Sequence, residues 1–127
     1  MSRARSRRWS GAWATSAEAA PVDVDVLIPT IGRTAELAVT LAGLAAQDAP
    51  LFSVIIADQS PDDAVASHPS VRSMTRVLEA QGRSVRVIRR AERRGLAEQR
   101  QFLLDRADAP YVLFLDDDVW LEPDALE

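Results

Sequence analysis

The chain has no cysteine and no lysine, and all fifteen of its basic residues are arginine. Without cysteine there is no disulfide framework, no thiol nucleophile and no zinc–thiolate site, which is compatible with a reducing compartment. Without lysine there is no Schiff-base chemistry and no phosphate loop of the Walker type. A phospho-acceptor receiver domain, which also gathers acids at strand ends, normally uses a lysine and loses its case on the same ground. The single histidine, His68, stands between Ser67 and Pro69 in a polar stretch and reads as a surface residue. No serine nucleophile elbow is present. No G-x-G-x-x-G follows the first apolar run, which argues against a dinucleotide-dependent dehydrogenase. No apolar run is long enough to cross a bilayer.

What is present suits one α/β domain. The 127 residues include 47% hydrophobic ones, enough for an ordinary core. The net charge of −4 is unevenly placed: Arg3, Arg5, Arg7 and Arg8 against Glu18 give residues 1–20 a charge of +3, leaving −7 for the rest. We read residues 1–20 as a disordered arginine-rich arm, attractive to an anionic membrane surface, and residues 21–127 as the folded domain. Nucleic acid is disfavoured as a partner by the acidic body and by the lack of interleaved aromatic residues.

From Val22 the pattern alternates between strands and helices, which predicts a mostly parallel sheet with flanking helices. Strands are expected at 22–29, 52–57, 85–88 and 111–115. Helices are expected at about 34–47, 71–81 and from Gly95 to about Ala107. Thr34 is the expected cap of the first helix, with Leu37, Leu41 and Leu44 as its buried stripe. In the last helix Leu96, Leu103 and Ala107 define an apolar stripe on which Arg100 falls. Either its stem snorkels or its guanidinium meets a ligand. Arg83, Arg86, Arg89, Arg90, Arg93 and Arg94 form the most basic stretch of the body, expected as a solvated strand edge with a place near a diphosphate or an anionic acceptor as the other reading.

Asp116, Asp117 and Asp118 follow directly on the apolar run Tyr111 to Leu115. In extended backbone Asp116 and Asp118 share a face, roughly 7 Å apart at Cα. Oxygen ligands of this kind suit magnesium or manganese, which are usually held by one or two carboxylates together with waters and substrate phosphates. The other reading makes Asp118 the cap of a short helix opening at Val119. Trp120 either walls the pocket beside these acids or packs beneath the loop.

Taken in order, VDVLIPT, ADQS, RRGLAEQRQ and YVLFLDDDV resemble the nucleotide-sugar-binding half of family 2 glycosyltransferases. The resemblance spans residues 22–127 and implies a Rossmann-like GT-A half-domain, truncated after the metal motif. It implies a nucleotide-diphospho-sugar donor, a Mn2+ or Mg2+ cofactor, and transfer to an acceptor hydroxyl with inversion. The acceptor could be a glycan, a lipid or a small molecule. By the resemblance Pro29, Thr30 and Arg33 line the nucleotide pocket, Asp58 bonds the base, and Arg100 contacts the nucleoside. Asp118 is the main metal ligand, while Asp116 lies nearer the ribose and diphosphate and also serves the metal. Asp117 is a substitute in either role.

Three departures stand out: Ala57, Asp58 and Gln59 where many relatives carry two adjacent acids and a glycine, Ile31 where an aromatic residue often follows the threonine, and Gln101 where asparagine often follows the arginine. The general base is expected beyond Glu127, not at Glu122 or Asp124. The alternative is a non-catalytic, truncated nucleotide-binding module. The expected location is cytoplasmic, including the inner face of the membrane. An uncovered apolar face is expected to favour self-association.

Overall fold

The computed structural model describes residues 23–48, 51–61, 64–90 and 95–126. The arginine-rich arm, Arg93 and Arg94 lie outside the described residues. Among the described residues four strands are formed: β1 (Val24–Thr30), β2 (Phe52–Asp58), β3 (Val85–Arg89) and β4 (Tyr111–Phe114). Between them run α1 (Thr34–Ala45), the single turn α2 (Ala64–Ser67), α3 (Pro69–Ala80) and α4 (Leu96–Leu104). The sheet is parallel throughout, in the order β3-β2-β1-β4.

This order follows from the sequence pattern. β1 and β2 are near-continuous apolar runs because they are central and covered on both faces. Alternate residues serve opposite layers: Val26, Ile28, Val54 and Ile56 pack with Leu37, Leu41 and Leu44 of α1 and Val71 and Leu78 of α3. Leu27, Ile55 and Ala57 meet Leu103 of α4 on the other face. The chain adds β2 and β3 on one side of β1, then crosses to place β4 on the other. A crossover in that reversed direction lands its helix on the opposite face of the sheet, where α4 sits. No described helix is long and apolar enough to cross a membrane.

Several boundaries differ from expectation. α1 starts at Thr34, but its cap position is Arg33 and no side chain bonds there. α3 starts two residues early because His68 caps it, Nδ1 accepting from Ser70 N at 3.3 Å, and Pro69 fits the first helical position. His68 is thus a capping residue as well as a surface one. α4 ends at Leu104, and its inward residues are Gln99 and Leu103, flanked by Phe102. Leu103 is buried and Ala107 packs beside it as expected, but Leu96 is 54% exposed and Gln99 is buried in its stead.

Arg83 departs furthest from the solvated-edge reading, being only 7% exposed. Its guanidinium lies 4.3 Å from the centroid of the Phe52 ring and donates to Leu44 O at 3.2 Å, Gln47 O at 3.1 Å and Gln81 Oε1 at 2.8 Å. It therefore closes the negative C-terminal end of α1, where carbonyls lack helical partners. Burial works against the charge and lowers the Arg83 pKa. The hydrogen bonds offset that burial, so removing them leaves polar groups unsatisfied. Arg83→Ala should cost about 2–4 kcal/mol in urea denaturation. Arg83→Lys should recover only part of it, because an ammonium lacks the planar fork.

Candidate functional site

The C-terminal ends of β1 and β4 lie side by side at the point where strand order reverses, and a cleft of about 320 Å³ opens there. That volume is at the small end of the roughly 300–1,000 Å³ typical of small-molecule sites. β1 and its turn contribute Pro29, Thr30, Ile31 and Arg33; β2 contributes Gln59; α4 contributes Leu96 and Gln99; Asp116, Asp117 and Asp118 close the wall. Of the expected site residues, Pro29, Thr30, Arg33, Asp116 and Asp118 are brought together in this lining, and Asp58 and Arg100 are not.

The three acids are not equivalent. Asp117 is buried, while Asp116 and Asp118 are exposed. The Thr30 hydroxyl donates to Asp117 Oδ2 at 2.7 Å, and Arg33 Nε lies 3.5 Å from Asp117 Oδ1. Arg33 Nη2 donates to Asp118 Oδ2 at 2.9 Å. Asp117 is thus the buried acid of the three, engaged by both Thr30 and Arg33. Asp118 caps no regular helix: the residues after it run as irregular chain and turns. Among the described residues no group of three His, Cys, Asp or Glu side chains converges on a cation position. Two exposed carboxylates still match what magnesium or manganese uses when phosphate oxygens and waters complete the shell.

The turn after β1 is held in place from β2. Gly32 adopts φ of 63°, a left-handed conformation that costs glycine little. Its N–H donates to Ser60 Oγ at 2.7 Å, and Ser60 N donates to Asp58 Oδ1 at 2.8 Å. Asp58 is fully buried, and its other oxygen, Oδ2, has no hydrogen-bond partner among the described residues. Such an oxygen costs stability unless something donates to it.

Arg100 is exposed, its guanidinium 5.7 Å from the centroid of the Phe114 ring. The buried side chain that α4 turns into the cleft wall, beside the exposed Leu96, is Gln99, which donates to Ala57 O at 3.1 Å and accepts from Arg90 at 3.0 Å. Sequence reasoning missed Gln99 because a polar side chain on the inward face of a helix gives no apolar signal. Trp120 is 56% exposed, and its ring lies so close to Gly43 that an added Cβ would stand 3.1 Å from it. It packs on α1 and does not line the cleft.

A parallel α/β sheet with a cleft at its switch point is the layout in which open α/β folds bind their ligands. The family model for glycosyl transferase family 2 matches residues 25–127, and the chain belongs to that family. Solved structures agree on the fold. S. aureus TarS matches at 24% identity and a TM-score of 0.66, over 83% of this chain and 18% of that one. S. aureus TarS 1–349 in complex with UDP matches at 24% identity and a TM-score of 0.67, over 83% and 30%. The mannosyltransferase PcManGT from Pyrobaculum calidifontis, in complex with GDP-Man and Mn2+, matches at 23% and 0.68, over 80% and 29%. The chain therefore spans less than a third of each of these relatives. No curated protein matches it.

Asp117 generates a pH prediction. Burial raises its pKa above the ordinary carboxylate range, Asp118 and Glu36 add to the rise, and the Thr30 hydrogen bond and Arg33 oppose it. A carboxyl with a raised folded pKa binds its proton more tightly in the native state, so stability falls as pH rises from the ordinary carboxylate pKa through the raised one. The wild type should lose stability relative to Asp117→Asn as pH rises across that window, measured by urea denaturation at closely spaced pH values. A relative gain would show that Thr30 and Arg33 outweigh burial.

Proposed function

We propose that the chain is the donor-binding part of a glycosyltransferase that uses a nucleotide-diphospho-sugar and a divalent cation, Mn2+ or Mg2+. The observation that carries this reading is the cleft at the β1–β4 switch point, with Asp116 and Asp118 exposed on its wall beside Thr30 and Arg33. Asp116 and Asp118 would hold the cation. When bound, it would neutralise the diphosphate and stabilise the departing nucleoside diphosphate. Thr30 and Asp117 fix the acidic turn against β1, so the carboxylates are positioned before the ligand arrives.

Asp58 is assigned to the base through its unpartnered Oδ2, an acceptor suited to a ring N–H. It is fully enclosed, so this role requires Gln59 or Ser60 to yield. Arg100 is assigned to the nucleoside by the family pattern alone; its exposed position on α4 requires it to swing from Phe114 toward the cleft. In this reading the general base lies beyond Glu127, transfer inverts the anomeric centre, and the enzyme works in the cytoplasm or at the inner face of the membrane. The exposed edge of β4, with Tyr111 71% and Val112 37% exposed, is where self-association would occur.

The test is calorimetric titration of the chain with UDP, GDP and dTDP, with and without Mn2+, beside a variant carrying Asp116→Asn and Asp118→Asn. Manganese-dependent binding of one nucleotide, lost at least tenfold in the variant, is expected. Absence of binding by a chain shown to be folded would reject the donor site and favour a non-catalytic module.

A further inference from the structure

We infer that Arg33 is a positioning residue that competes with the cation for Asp118: it holds Asp118 in the metal-free cleft and releases it when the divalent ion arrives. The inference rests on the reading of Asp116 and Asp118 as metal ligands. Arg33 reaches two of the three acids, at 3.5 Å on Asp117 and 2.9 Å on Asp118, so its guanidinium already engages one of the two proposed ligands. Its side chain is 44% exposed, and that of Asp118 is 46% exposed, so this contact can open without disturbing the core. Asp117 is different. Its side chain is 9% exposed and also bonded to Thr30, so it stays behind as the pivot on which Arg33 remains anchored.

The backbone favours such an exchange. Arg33 stands at the start of α1 and has no capping bond of its own, and it follows Gly32, the left-handed residue of the turn. Thr30 and Gly32 are both tied down, so the movement is confined to the long side chain of Arg33. Three successive carboxylates with a single arginine leave a local charge near −2, which a divalent ion would neutralise. Arg33 and the ion then compete for Asp118, while Arg33 becomes available to the diphosphate that accompanies the ion. The two consequences have opposite sign. Removing Arg33 should make the empty cleft bind the bare ion more tightly and the nucleoside diphosphate more weakly.

The experiment compares the wild-type chain with Arg33→Gln, after circular dichroism has matched their folds. Binding of Mn2+ alone is followed by loss of the free-ion paramagnetic resonance signal. Binding of UDP, GDP and dTDP at saturating Mn2+ is followed by calorimetry. Arg33→Gln should bind Mn2+ on the order of tenfold more tightly, from the removal of one positive charge about 5 Å from the ion in a water-like dielectric. The same variant should bind the nucleotide several-fold more weakly. Unchanged or weaker Mn2+ binding in Arg33→Gln, with the wild type binding Mn2+ normally, would overturn the exchange and leave the metal site standing. Binding of Mn2+ by neither protein would overturn both. Binding by the variant alone would be the strongest support, and a variant carrying Arg33→Gln with Asp118→Asn should then lose the gain.

Discussion

The parallel pairing of β1 with β2 on one side and β4 on the other is the constraint on which the rest depends. It sets Thr30 level with Asp58 and brings the acidic turn after β4 to the same end of the sheet. Three adjacent carboxylates would repel one another and fray that turn if nothing opposed them. The Thr30 hydroxyl, donated at 2.7 Å to the buried middle acid, fixes the turn to the central strand. Arg33 supplies the local positive charge and raises no comparable burial cost, because it lies at the surface. The flanking acids are left facing the cleft, and the middle one holds the fold.

α1 provides the second support for this arrangement. The Thr40 hydroxyl accepts from Val119 N at 3.1 Å, directly after the acids. Gln47 donates to Glu122 O at 2.6 Å and accepts from Leu126 N at 3.1 Å, and Asp48 N donates to Pro123 O. Val119, Leu121 and Leu126 pack on the same core as α1. The segment leaving the acids is therefore laid along a helix and does not hang free. Gly43 allows the Trp120 ring to lie directly on that helix, and a larger residue there would push the segment, and with it the acidic turn, outward.

The strands were legible because central parallel strands announce themselves as apolar runs ending in polar residues, and the acids were legible because they end one. Element type follows from periodicity, and so does the layer that Leu37, Leu41 and Leu44 face. The parts that were not legible involve phase and pairing across the chain. Arg83 reads as one more member of a basic stretch until Phe52 and the carbonyls of α1 surround it, a contact that spans 36 residues from Gln47 and appears in no local pattern. Gln99 and Arg100 differ by one position on α4, a rotation of about 100° that decides which side chain faces the cleft. A nine-residue helix with mixed polarity gives too little signal to set that phase. The distinct role of Asp117 was hidden for a related reason, since strand alternation separates it from its neighbours but does not reveal that Thr30 lies across from it.

Among the described residues two carboxylates, Asp58 and Asp117, are buried at the cleft end of the sheet, and they are satisfied differently. Asp117 has both oxygens engaged, by Thr30 and Arg33, which offset part of the burial that raises its pKa. Asp58 has one oxygen engaged by Ser60 and the other without a described partner, although it is the more deeply buried of the two. A chain selected for stability alone would gain by replacing such an acid with an amide or an apolar residue, since an unsatisfied buried acceptor commonly costs about 1–3 kcal/mol. The neighbouring turn limits that replacement, because Asp58 Oδ1 orders Ser60 and through it Gly32. One carboxylate thus joins the two strand-end turns with one oxygen and leaves the other enclosed without a donor among the described residues. The cost of that arrangement is carried one residue before Gln59 of the cleft lining, so the order it gives to Ser60 and Gly32 is what it supplies in return.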